Sequence, residues 1–495
     1  MRIFVSILIA IININSLFAE EDSLSKRVLL PYSINSYQPT LQTVLTIDGS
    51  KMYLDRKWHP FNLGEGLDSD DIWISAKLQG EFWSEPVNAE GLNTKHPDIL
   101  FAITPDNTKA LLYGSYINND EGFYIADRSM GDWAIENRLK IIDYYNNWDQ
   151  YGASISYDKS VLILALNRDK SQGGLDLYVS FLNKSGNFWT APKSLGITIN
   201  TQSIEAAPFL SYDNKTLYFA SNGHGGYGKL DLFKTTRLDD TWENWSKPIN
   251  LGSLFNTHED ENSIWLTALA DSAYIVSYDT LNKRSAIYSI TLPDSLKPEP
   301  YYLLHGSIYF IDHRNEMYEI SIQTDGGVEI NSFRSSDEQY FSILPANGEY
   351  RITATCSDHD DYSFLIRTNI PEKSEYIERD IVFRPIAKPT ILSKKIYFDF
   401  NDSNLSNEVK EELNRFINSN PFQDYSIQIT GHADELGSDD FNTELSYKRA
   451  KNTAYFLENL QINKNNIIVK WEGEQNPIST DQNKNRRVEI LLIPK

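Results

Sequence analysis

Cysteine is nearly absent from this sequence of 495 residues. Cys356 is the only cysteine, which excludes an internal disulfide and a zinc site with several cysteines. We expect Cys356 to be a small buried residue in a strand. Methionine is also scarce, with 4 residues, whereas 29 tyrosines and 10 tryptophans are present. Because aromatic residues favour strands, this composition predicts a chain built mainly from β-structure, in about three domains.

Positive charge is in deficit, and long apolar runs are missing. The 46 lysines and arginines face 68 acidic residues, a formal net charge of -22, which argues against a nucleic-acid or anionic-membrane partner.

Past the N-terminus no segment has the apolar length of a transmembrane helix. Residues 1–19 have the pattern of a secretory signal peptide, with Arg2, an apolar stretch and a cleavage position after Ala19. No cysteine lies near this position, so we expect an exported periplasmic protein without a lipid anchor.

A repeat of roughly fifty residues occupies the first three hundred positions. Each copy has two strands joined by a tight turn, at Asp48-Gly49, Asp106-Asn107, Asp158-Lys159, Asp213-Asn214 and Ala270-Asp271. A third, aromatic strand follows, at Asp71-Ile-Trp73, Gly122-Phe-Tyr124, Asp176-Leu-Tyr178, Asp231-Leu-Phe233 and Ala286-Ile-Tyr288. An outer strand carries Trp83-Ser-Glu-Pro86, Trp189-Thr-Ala-Pro192 or Trp245-Ser-Lys-Pro248. The count favours five blades of a β-propeller.

The ends of this repeat region complement each other. The fifth copy lacks its own outer strand, and the chain then enters the proline-rich stretch 293–300. The segment from Arg27 to Asn35 has the outer-strand pattern with no copy before it. We expect this N-terminal strand to complete the fifth blade, because closure removes exposed sheet edges.

Residues 211–232 connect the repeat to a known family. Ser211-Tyr-Asp-Asn214, Leu217-Tyr-Phe-Ala-Ser-Asn222 and Leu230-Asp-Leu232 resemble the WD40-like (PD40, TolB-type) propeller repeat. The resemblance covers roughly residues 25 to 292 and implies a propeller fold. With the count of five copies, we predict a five-bladed β-propeller over residues 25–298. The resemblance does not indicate a partner, because propellers of this type bind very different molecules.

Two further patterns suggest ligand sites but have simpler interpretations. Gly223-His-Gly225-Gly-Tyr-Gly228 fits the dinucleotide fingerprint, but a strand rather than a helix follows, so we expect a hairpin loop. His258-Glu-Asp-Glu261 and Asp358-His-Asp-Asp361 could bind a metal, yet neither has convincing ligand spacing. We expect solvated acidic loops and predict neither a metal nor a cofactor.

Residues 301–386 alternate apolar and polar positions like short strands. The stretch Ile343-Leu-Pro-Ala-Asn-Gly-Glu-Tyr350 joins two of them by a turn. This region resembles the regulatory β-sandwich found beside carboxypeptidases, with one extra residue before Gly348 in the turn. We expect a β-sandwich with a spacer or binding role.

The predicted elements of residues 390–495 alternate between strands and helices. Strands are predicted at Ile396-Tyr-Phe-Asp-Phe400, Ser426-Ile-Gln-Ile-Thr430, Ile467-Ile-Val-Lys-Trp471 and Val488-Glu-Ile-Leu-Leu492. Helices are predicted from Leu405 to Ile417 and from Phe441 to Leu460. This alternation predicts an α/β domain.

The same segment contains a long ordered motif. It consists of Gly431-His-Ala-Asp434-Glu-Leu-Gly437, Asn442, Leu445-Ser-Tyr-Lys-Arg449-Ala450 and Asn485-Arg-Arg487. It closely resembles the OmpA-like peptidoglycan-binding domain, apart from Ala433, where the family usually has threonine. The resemblance implies binding of the diaminopimelate side chain of the wall peptide by Asp434 and Arg449.

The residue chemistry agrees with that role. Asp434 can accept hydrogen bonds from the ammonium of diaminopimelate, and Arg449, two turns into the predicted helix, can bind its carboxylate. Asn442 is expected to shape the pocket, and Gly431 and Gly437 to set the loop geometry. The alternative is an internal ion pair between Asp434 and Arg449 that only orders the loop. Arg486 and Arg487 could face the glycan or stabilise the sheet.

These expectations combine into an exported, non-catalytic envelope protein that binds peptidoglycan and presents its propeller to unidentified envelope proteins. The domain order resembles wall-anchored accessory proteins of the Bacteroidota, one of them associated with type IX secretion. That component has helical repeats and a lipid-bearing cysteine, which this sequence lacks. Two alternatives remain open: a glycan or peptide hydrolase with paired carboxylates in the propeller funnel, and a small-ligand sensor with an aromatic funnel.

Overall fold

The computed structural model describes residues 26–35, 39–63, 70–80, 82–128, 131–183, 185–279, 283–386, 391–420 and 425–494. The predicted signal peptide, residues 1–19, lies outside these ranges. Within them, no helix has both the length and the apolar character needed to cross a membrane. The chain divides into two compact units, Met1–Pro385 and Ile386–Lys495. We call them the first and the second unit.

Antiparallel strands dominate the first unit, where the described residues include five four-stranded sheets. An N-terminal strand, β1, spans Arg27–Leu29. Sheet one contains β2 Thr40–Leu45, β3 Lys51–Lys57, β4 Asp70–Ala76 and β5 Val87–Asn88. Sheet two contains β6 Ile99–Ile103, β7 Lys109–Gly114, β8 Gly122–Asp127 and β9 Ala134–Arg138, and the 3-10 helix Glu90–Leu92 precedes it. Sheet three contains β10 Gly152–Ile155, β11 Val161–Leu166, β12 Asp176–Phe181 and β13 Lys193–Ser194.

Two more sheets follow in the same arrangement. Sheet four contains β14 Glu205–Leu210, β15 Thr216–Ser221, β16 Asp231–Thr236 and β17 Ile249–Asn250. Sheet five contains β18 Glu261–Leu266, β19 Ser272–Asp279 and β20 Arg284–Thr291, and its fourth strand is β1, which pairs antiparallel with β20. The first strands contact one another in the order β2, β6, β10, β14, β18, and β18 also contacts β2. The five sheets are therefore arranged in a cycle.

The tight turns in the repeat have the backbone conformation that the sequence indicates. The turn between the first two strands of each sheet has one residue with positive φ, namely Gly49, Asn107, Lys159, Asn214 and Ala270. Glycine and asparagine adopt this region at little cost, whereas lysine and alanine do so less readily. The five predicted turns are confirmed, including the two at which the residue type gave only a weak signal.

In four of the five sheets an asparagine from a connecting segment binds the backbone of the third strand. Asn93, Asn200 and Asn256 each bind both the backbone N–H and the backbone carbonyl of one residue in the third strand of a sheet, with distances of 2.8 to 3.0 Å. Asn35 makes the same pair of bonds to Ile287 in β20, at 2.8 and 3.0 Å. Each of these asparagines follows the fourth strand of its sheet, and Asn35 follows β1, which is the fourth strand of sheet five.

Replacing Asn35 with alanine is expected to lower the free energy of unfolding by about 1–3 kcal/mol, because the buried N–H of Ile287 loses its acceptor. Urea denaturation of the full chain measures this. The exposed Asn137 on β9 provides the control, and its alanine variant should change stability by less than about 0.5 kcal/mol. Equal stabilities of the two variants would show that Asn35 does not fasten the N-terminal strand.

The glycine-rich stretch at residues 223–228 connects β15 to β16, so the prediction of a hairpin loop is confirmed. The carboxylate of Asp231 accepts hydrogen bonds from the backbone N–H groups of Tyr227 and Gly228, at 2.6 and 3.1 Å. These amides, which a phosphate would need, already have an acceptor within the protein.

Residues 301–385 form two further four-stranded sheets. Their strands are β21 Tyr302–Phe310, β22 Tyr318–Thr324, β23 Glu329–Ser335, β24 Gln339–Leu344, β25 Glu349–Cys356, β26 Tyr362–Arg367, β27 Glu375–Glu378 and β28 Ile381–Phe383, after the 3-10 helix Asp294–Leu296. One sheet has the order β24-β21-β27 with β28 beside β21, and the other has the order β23-β22-β25-β26. Both contribute to one hydrophobic cluster that includes Leu304, Ile320 and Ile352.

This region packs directly against the turns of the five sheets. Tyr301, Leu303 and Phe341 share a buried cluster with Ile47, Tyr157, Tyr212 and Ala268, which lie at those turns. The hydroxyl of Tyr301 donates to the carbonyl of Ala268 at 2.9 Å. The two regions predicted at 25–298 and 301–386 therefore belong to one compact unit, and their description as separate domains stays a prediction.

The second unit has one mixed sheet and three α-helices among its described residues. In chain order its elements are β29 Leu392–Tyr397, α1 Asn407–Asn418, β30 Tyr425–Gly431, α2 Asp439–Asn459, the 3-10 helix Lys464–Asn466, β31 Ile467–Trp471, α3 Gln482–Asn485 and β32 Arg487–Pro494. The sheet order is β29-β32-β30-β31, with β30 and β31 parallel. The predicted α/β domain is confirmed. The strand predicted to reach Phe400 ends at Tyr397, because the next carbonyls bind arginine side chains instead of a neighbouring strand.

Candidate functional site

The candidate site lies between the loop that follows β30 and the first half of α2. Asp434 lies in this loop, three positions beyond the end of the strand. Ser438 caps α2, and its hydroxyl accepts from the N–H of Phe441 at 3.3 Å. Helix α2 therefore begins two residues before the predicted start, which places Arg449 about three turns into the helix instead of two. Asn442 and Arg449 are both fully buried on the inner face of α2.

The guanidinium of Arg449 is held by three backbone carbonyls. Its Nε donates to Asp402 at 2.8 Å, one terminal nitrogen donates to His432 at 3.0 Å, and the other donates to Asp399 at 3.1 Å. Arg449 thus joins the loop after β29 to the loop after β30. Burial lowers the pKa of Arg449 to about 10, although the nearby Asp434 carboxylate favours its charged form. The side chain is therefore a cation at neutral pH, with two of its five N–H groups left for another acceptor.

Asp434 is buried, and its ion-pair partner is Arg486 rather than Arg449. The Oδ2 atom accepts from a terminal nitrogen of Arg486 at 3.1 Å. Asp434 and Arg449 lie close enough for their charges to interact. The alternative considered from the sequence was an ion pair between these two residues, but Asp434 pairs with Arg486 instead. The role of Arg486 was left open from the sequence. Its position in the motif was the only indication that it belongs to the site.

Asn442 has one satisfied and one unsatisfied side-chain group. Its Nδ2 donates to Glu474 at 2.5 Å, while among the described residues its buried Oδ1 has no hydrogen-bond partner. A buried carbonyl oxygen without a donor is costly, so a donor from a bound ligand would stabilise it. Glu474 was missed in the sequence because it follows β31, more than thirty residues away.

Two glycines allow the close packing around these side chains. A Cβ at Gly431 would lie 2.0 Å from the carbonyl oxygen of Ser446, so the end of β30 touches the backbone of α2. Gly437 has a φ of +129°, and its Cβ would lie 3.2 Å from Oδ1 of Asn442. Both positions therefore require glycine for geometric reasons.

Arg487 supports the sheet. It is almost completely buried, its Nε donates to Glu489 at 2.7 Å, and a terminal nitrogen donates to the carbonyl of Asn476 at 3.2 Å. Of the two roles considered for this pair of arginines, Arg487 has the structural one, and Arg486 lies against Asp434.

A separate cavity of about 380 Å³ lies among the first strands of the five sheets. Its lining includes Thr43, Phe101, Ala153, Phe209 and Trp265. Asp55 also lines it, and burial together with the neighbouring Asp70 raises the pKa of the Asp55 carboxyl well above its usual range. The cavity thus combines aromatic side chains with a carboxyl group that resists ionisation.

Residues 397–490 match the model of the OmpA family. The C-terminal unit is an OmpA-like domain. Outer membrane protein A of Bordetella avium is 29% identical over 115 residues, which are 22% of this chain and 59% of that protein. The photosystem I P700 chlorophyll a apoprotein A2 of Gloeobacter violaceus is 32% identical over 114 residues, which are 21% of this chain and 13% of that protein. The chain thus spans less than two thirds of the length of these curated relatives.

Among solved structures, the peptidoglycan-associated lipoprotein from Burkholderia pseudomallei is similar to this chain. The identity is 22%, the match covers 22% of this chain and 92% of that one, and the TM-score is 0.19. The match thus extends over most of that protein and about a fifth of this one.

Proposed function

We propose that this chain is an exported, non-catalytic cell-envelope protein that binds peptidoglycan through its OmpA-like domain. The observation that carries the proposal is the convergence of Asp434, Asn442 and Arg449, within the segment that matches the OmpA family, on one buried site. This site has a carboxylate, a carbonyl oxygen without a donor and a guanidinium with free N–H groups. Its natural ligand is a zwitterion that bears both an ammonium and a carboxylate.

The side-chain end of diaminopimelate in the wall peptide is such a zwitterion. Asp434 accepts from its ammonium, and Oδ1 of Asn442 supplies a second acceptor. The two remaining N–H groups of Arg449 bind its carboxylate. In the described structure Asp434 is paired with Arg486 at 3.1 Å, so the ammonium takes the place of this arginine when it binds. Exchange of one cation for another at a buried carboxylate avoids leaving an uncompensated charge.

In this proposal the residues before the OmpA-like domain provide export and a surface for protein partners. Residues 1–19 direct export to the periplasm, and residues 25–298 form a five-bladed β-propeller that β1 closes. The β-sandwich at 301–386 connects the propeller to the OmpA-like domain at 390–495. The cyclic contacts of the five sheets and the pairing of β1 with β20 support this architecture. The propeller would then present a surface to envelope proteins near the outer membrane, such as components of a type IX secretion complex in the Bacteroidota.

Sedimentation of the full chain with purified diaminopimelate-type peptidoglycan tests the proposal. The Asp434→Asn variant should bind at least about tenfold more weakly, because loss of a charge-assisted hydrogen bond costs roughly 1.5–3 kcal/mol. An amide oxygen can still accept from Arg486, so the fold should remain. The matched control is Glu444→Gln on the exposed side of α2, which should bind like the wild type. Undiminished binding by a folded Asp434→Asn variant would disprove the proposed site.

The environment of Asp55 favours a second candidate function, that of a hydrolase. A carboxyl group with a raised pKa beside a second carboxylate, in a cavity with aromatic walls, fits a hydrolase of glycans or peptides. Incubating the full chain with peptidoglycan and assaying for released fragments tests this function. Fragment release that disappears in Asp55→Asn would favour the hydrolase, and absence of release by the wild type would exclude it for this substrate.

A further inference from the structure

Three side chains that can bind a metal converge at one end of the sheet formed by β23, β22, β25 and β26. Glu316 precedes β22, Cys356 ends β25, and His359 follows three positions later. The pairing of Tyr318 in β22 with Cys356 in β25 brings the first two together. A carboxylate oxygen of Glu316, the Sγ of Cys356 and a ring nitrogen of His359 all lie within 4.8 Å of one another. The predicted strand position of Cys356 is confirmed, but the residue is half-buried and lies in a polar cluster.

His359 provides a second and independent indication of a ligand. Its side chain is 2% exposed, and its Nδ1 lies 2.7 Å from the carbonyl oxygen of Ser357. A carbonyl only accepts, so Nδ1 carries a hydrogen, and in the neutral imidazole Nε2 then presents a lone pair. Among the described residues Nε2 has no hydrogen-bond partner, and Oδ1 of Asp312 lies 3.5 Å away. An orienting carbonyl on one nitrogen and an unused lone pair on the other are typical of a histidine that binds a metal.

We propose that Cys356, His359 and Glu316 bind a divalent transition-metal ion of the zinc type. Thiolate, imidazole and carboxylate are the three ligand classes that zinc accepts in proteins. In a tetrahedral zinc site the ligand atoms lie roughly 3–4 Å apart, given bonds of about 2.0–2.3 Å. Sγ of Cys356 and Oε2 of Glu316 are already 3.9 Å apart, so small side-chain movements complete the site.

The charges around the cluster favour a cation. Arg314 binds Asp312 at 2.6 Å and Glu316 at 2.9 Å, which holds both carboxylates beside Cys356 and His359. The two carboxylates together carry more negative charge than Arg314 neutralises, and the thiolate that forms on metal binding adds a further charge for the divalent ion to balance. This set was not apparent from the sequence, because only His359 belongs to the acidic motif at residues 358–361.

Metal binding displaces the proton of Cys356. As the metal–sulfur bond forms, the S–H bond of the thiol breaks and its proton passes to solvent.

The single cysteine gives this proposal a direct test. The full chain is first treated with a chelator, and the rate at which Cys356 reacts with a thiol reagent is measured with and without zinc. Zinc should slow the reaction at least about tenfold in the wild type, because the coordinated thiolate is no longer accessible. The control variant His258→Ala, in the other acidic motif, should be protected equally, while His359→Ala and Glu316→Gln should lose the protection.

Cobalt binding gives a second measurement that does not depend on those variants folding. One equivalent of Co²⁺ added to the metal-free wild type should produce a sulfur-to-cobalt charge-transfer band, which Cys356→Ser should abolish. Equal thiol reactivity of the wild type with and without zinc would overturn the proposal. So would a cobalt band that persists in Cys356→Ser, or zinc protection that persists in a folded His359→Ala variant.

Discussion

Replacement of Arg449 by alanine is expected to abolish peptidoglycan binding and to lower the free energy of unfolding by about 2–4 kcal/mol. The guanidinium satisfies the buried carbonyls of Asp399, Asp402 and His432, and its removal leaves the loops around the site without their common donor. The proposed carboxylate ligand loses its cation at the same time. Peptidoglycan sedimentation and chemical denaturation of the same preparation measure the two effects.

Arg449→Lys separates charge from geometry. Lysine keeps the positive charge but cannot donate to three carbonyls that lie in different directions. The loops should therefore lose their position, and peptidoglycan binding should weaken. Arg415→Ala, on the exposed side of α1, is the control and should leave both measurements unchanged. If Arg449→Lys bound the wall as well as the wild type, charge alone would account for the role of Arg449, and the network of carbonyls would be irrelevant to binding.

Replacement of Lys159 by methionine is expected to destabilise the first unit by about 3–5 kcal/mol at neutral pH. The ammonium of Lys159 lies 2.7 Å from the fully buried carboxylate of Asp106 and donates to the carbonyl of Ser332 at 3.1 Å. Burial alone would raise the pKa of Asp106, but Lys159, with hydrogen bonds from Thr108 and Thr104, holds it below the usual value. Without Lys159 the buried carboxylate loses the cation that neutralises it.

The pH dependence of this effect follows from the lowered pKa of Asp106. Its ionised form stabilises the folded chain above the pKa of an unfolded aspartate, about 3.9, and this contribution is lost as the pH falls through the folded pKa. The stability difference between wild type and Lys159→Met should therefore be largest near neutral pH and shrink below about pH 4. Lys215→Met is the control, because the exposed pair of Lys215 with Glu299 contributes at most about 1 kcal/mol. A difference independent of pH would contradict the assigned role of Asp106.

The sequence predicts local structure in this chain well. The turn residues and the alternation of apolar positions identified the strands of the repeat, because each depends on neighbours only a few positions away. The hydrogen bonds from Asn35, Asn93 and Asn200 to the third strands were not apparent from the sequence, because Asn35 binds Ile287 across 252 positions.

The candidate site shows the same limit. The motif identified Asp434 and Arg449, but not the groups that satisfy them in the folded chain. Arg486 reaches Asp434 across 52 positions, and Glu474 reaches Asn442 across 32 positions. Tertiary packing determines which side chains form these pairs. A single sequence does not indicate which of several arginines will contact Asp434, or which of several glutamates will contact Asn442. The cluster of Glu316, Cys356 and His359 escaped notice for the same reason.

The packing of residues 301–385 against the five sheets was also beyond sequence reasoning. The proline-rich stretch at 293–300 suggested a boundary between independent domains. In the structure, Lys215 binds Glu299 at 2.6 Å, and the carboxylate of Asp213 accepts from the N–H of Glu299 at 2.9 Å, so this stretch is fastened to sheet four. Proline restricts the backbone of a segment, but whether the segment is free or packed depends on contacts elsewhere in the chain.

The proposed site recognises the zwitterionic end of diaminopimelate, and one binding measurement tests this recognition most directly. The full chain is titrated with two soluble wall peptides that differ only at the third residue, diaminopimelate in one and lysine in the other. Lysine keeps the ammonium and lacks the carboxylate, so Arg449 would face no anion. We predict that the lysine peptide binds at least about tenfold more weakly. Equal affinities for the two peptides would contradict the account.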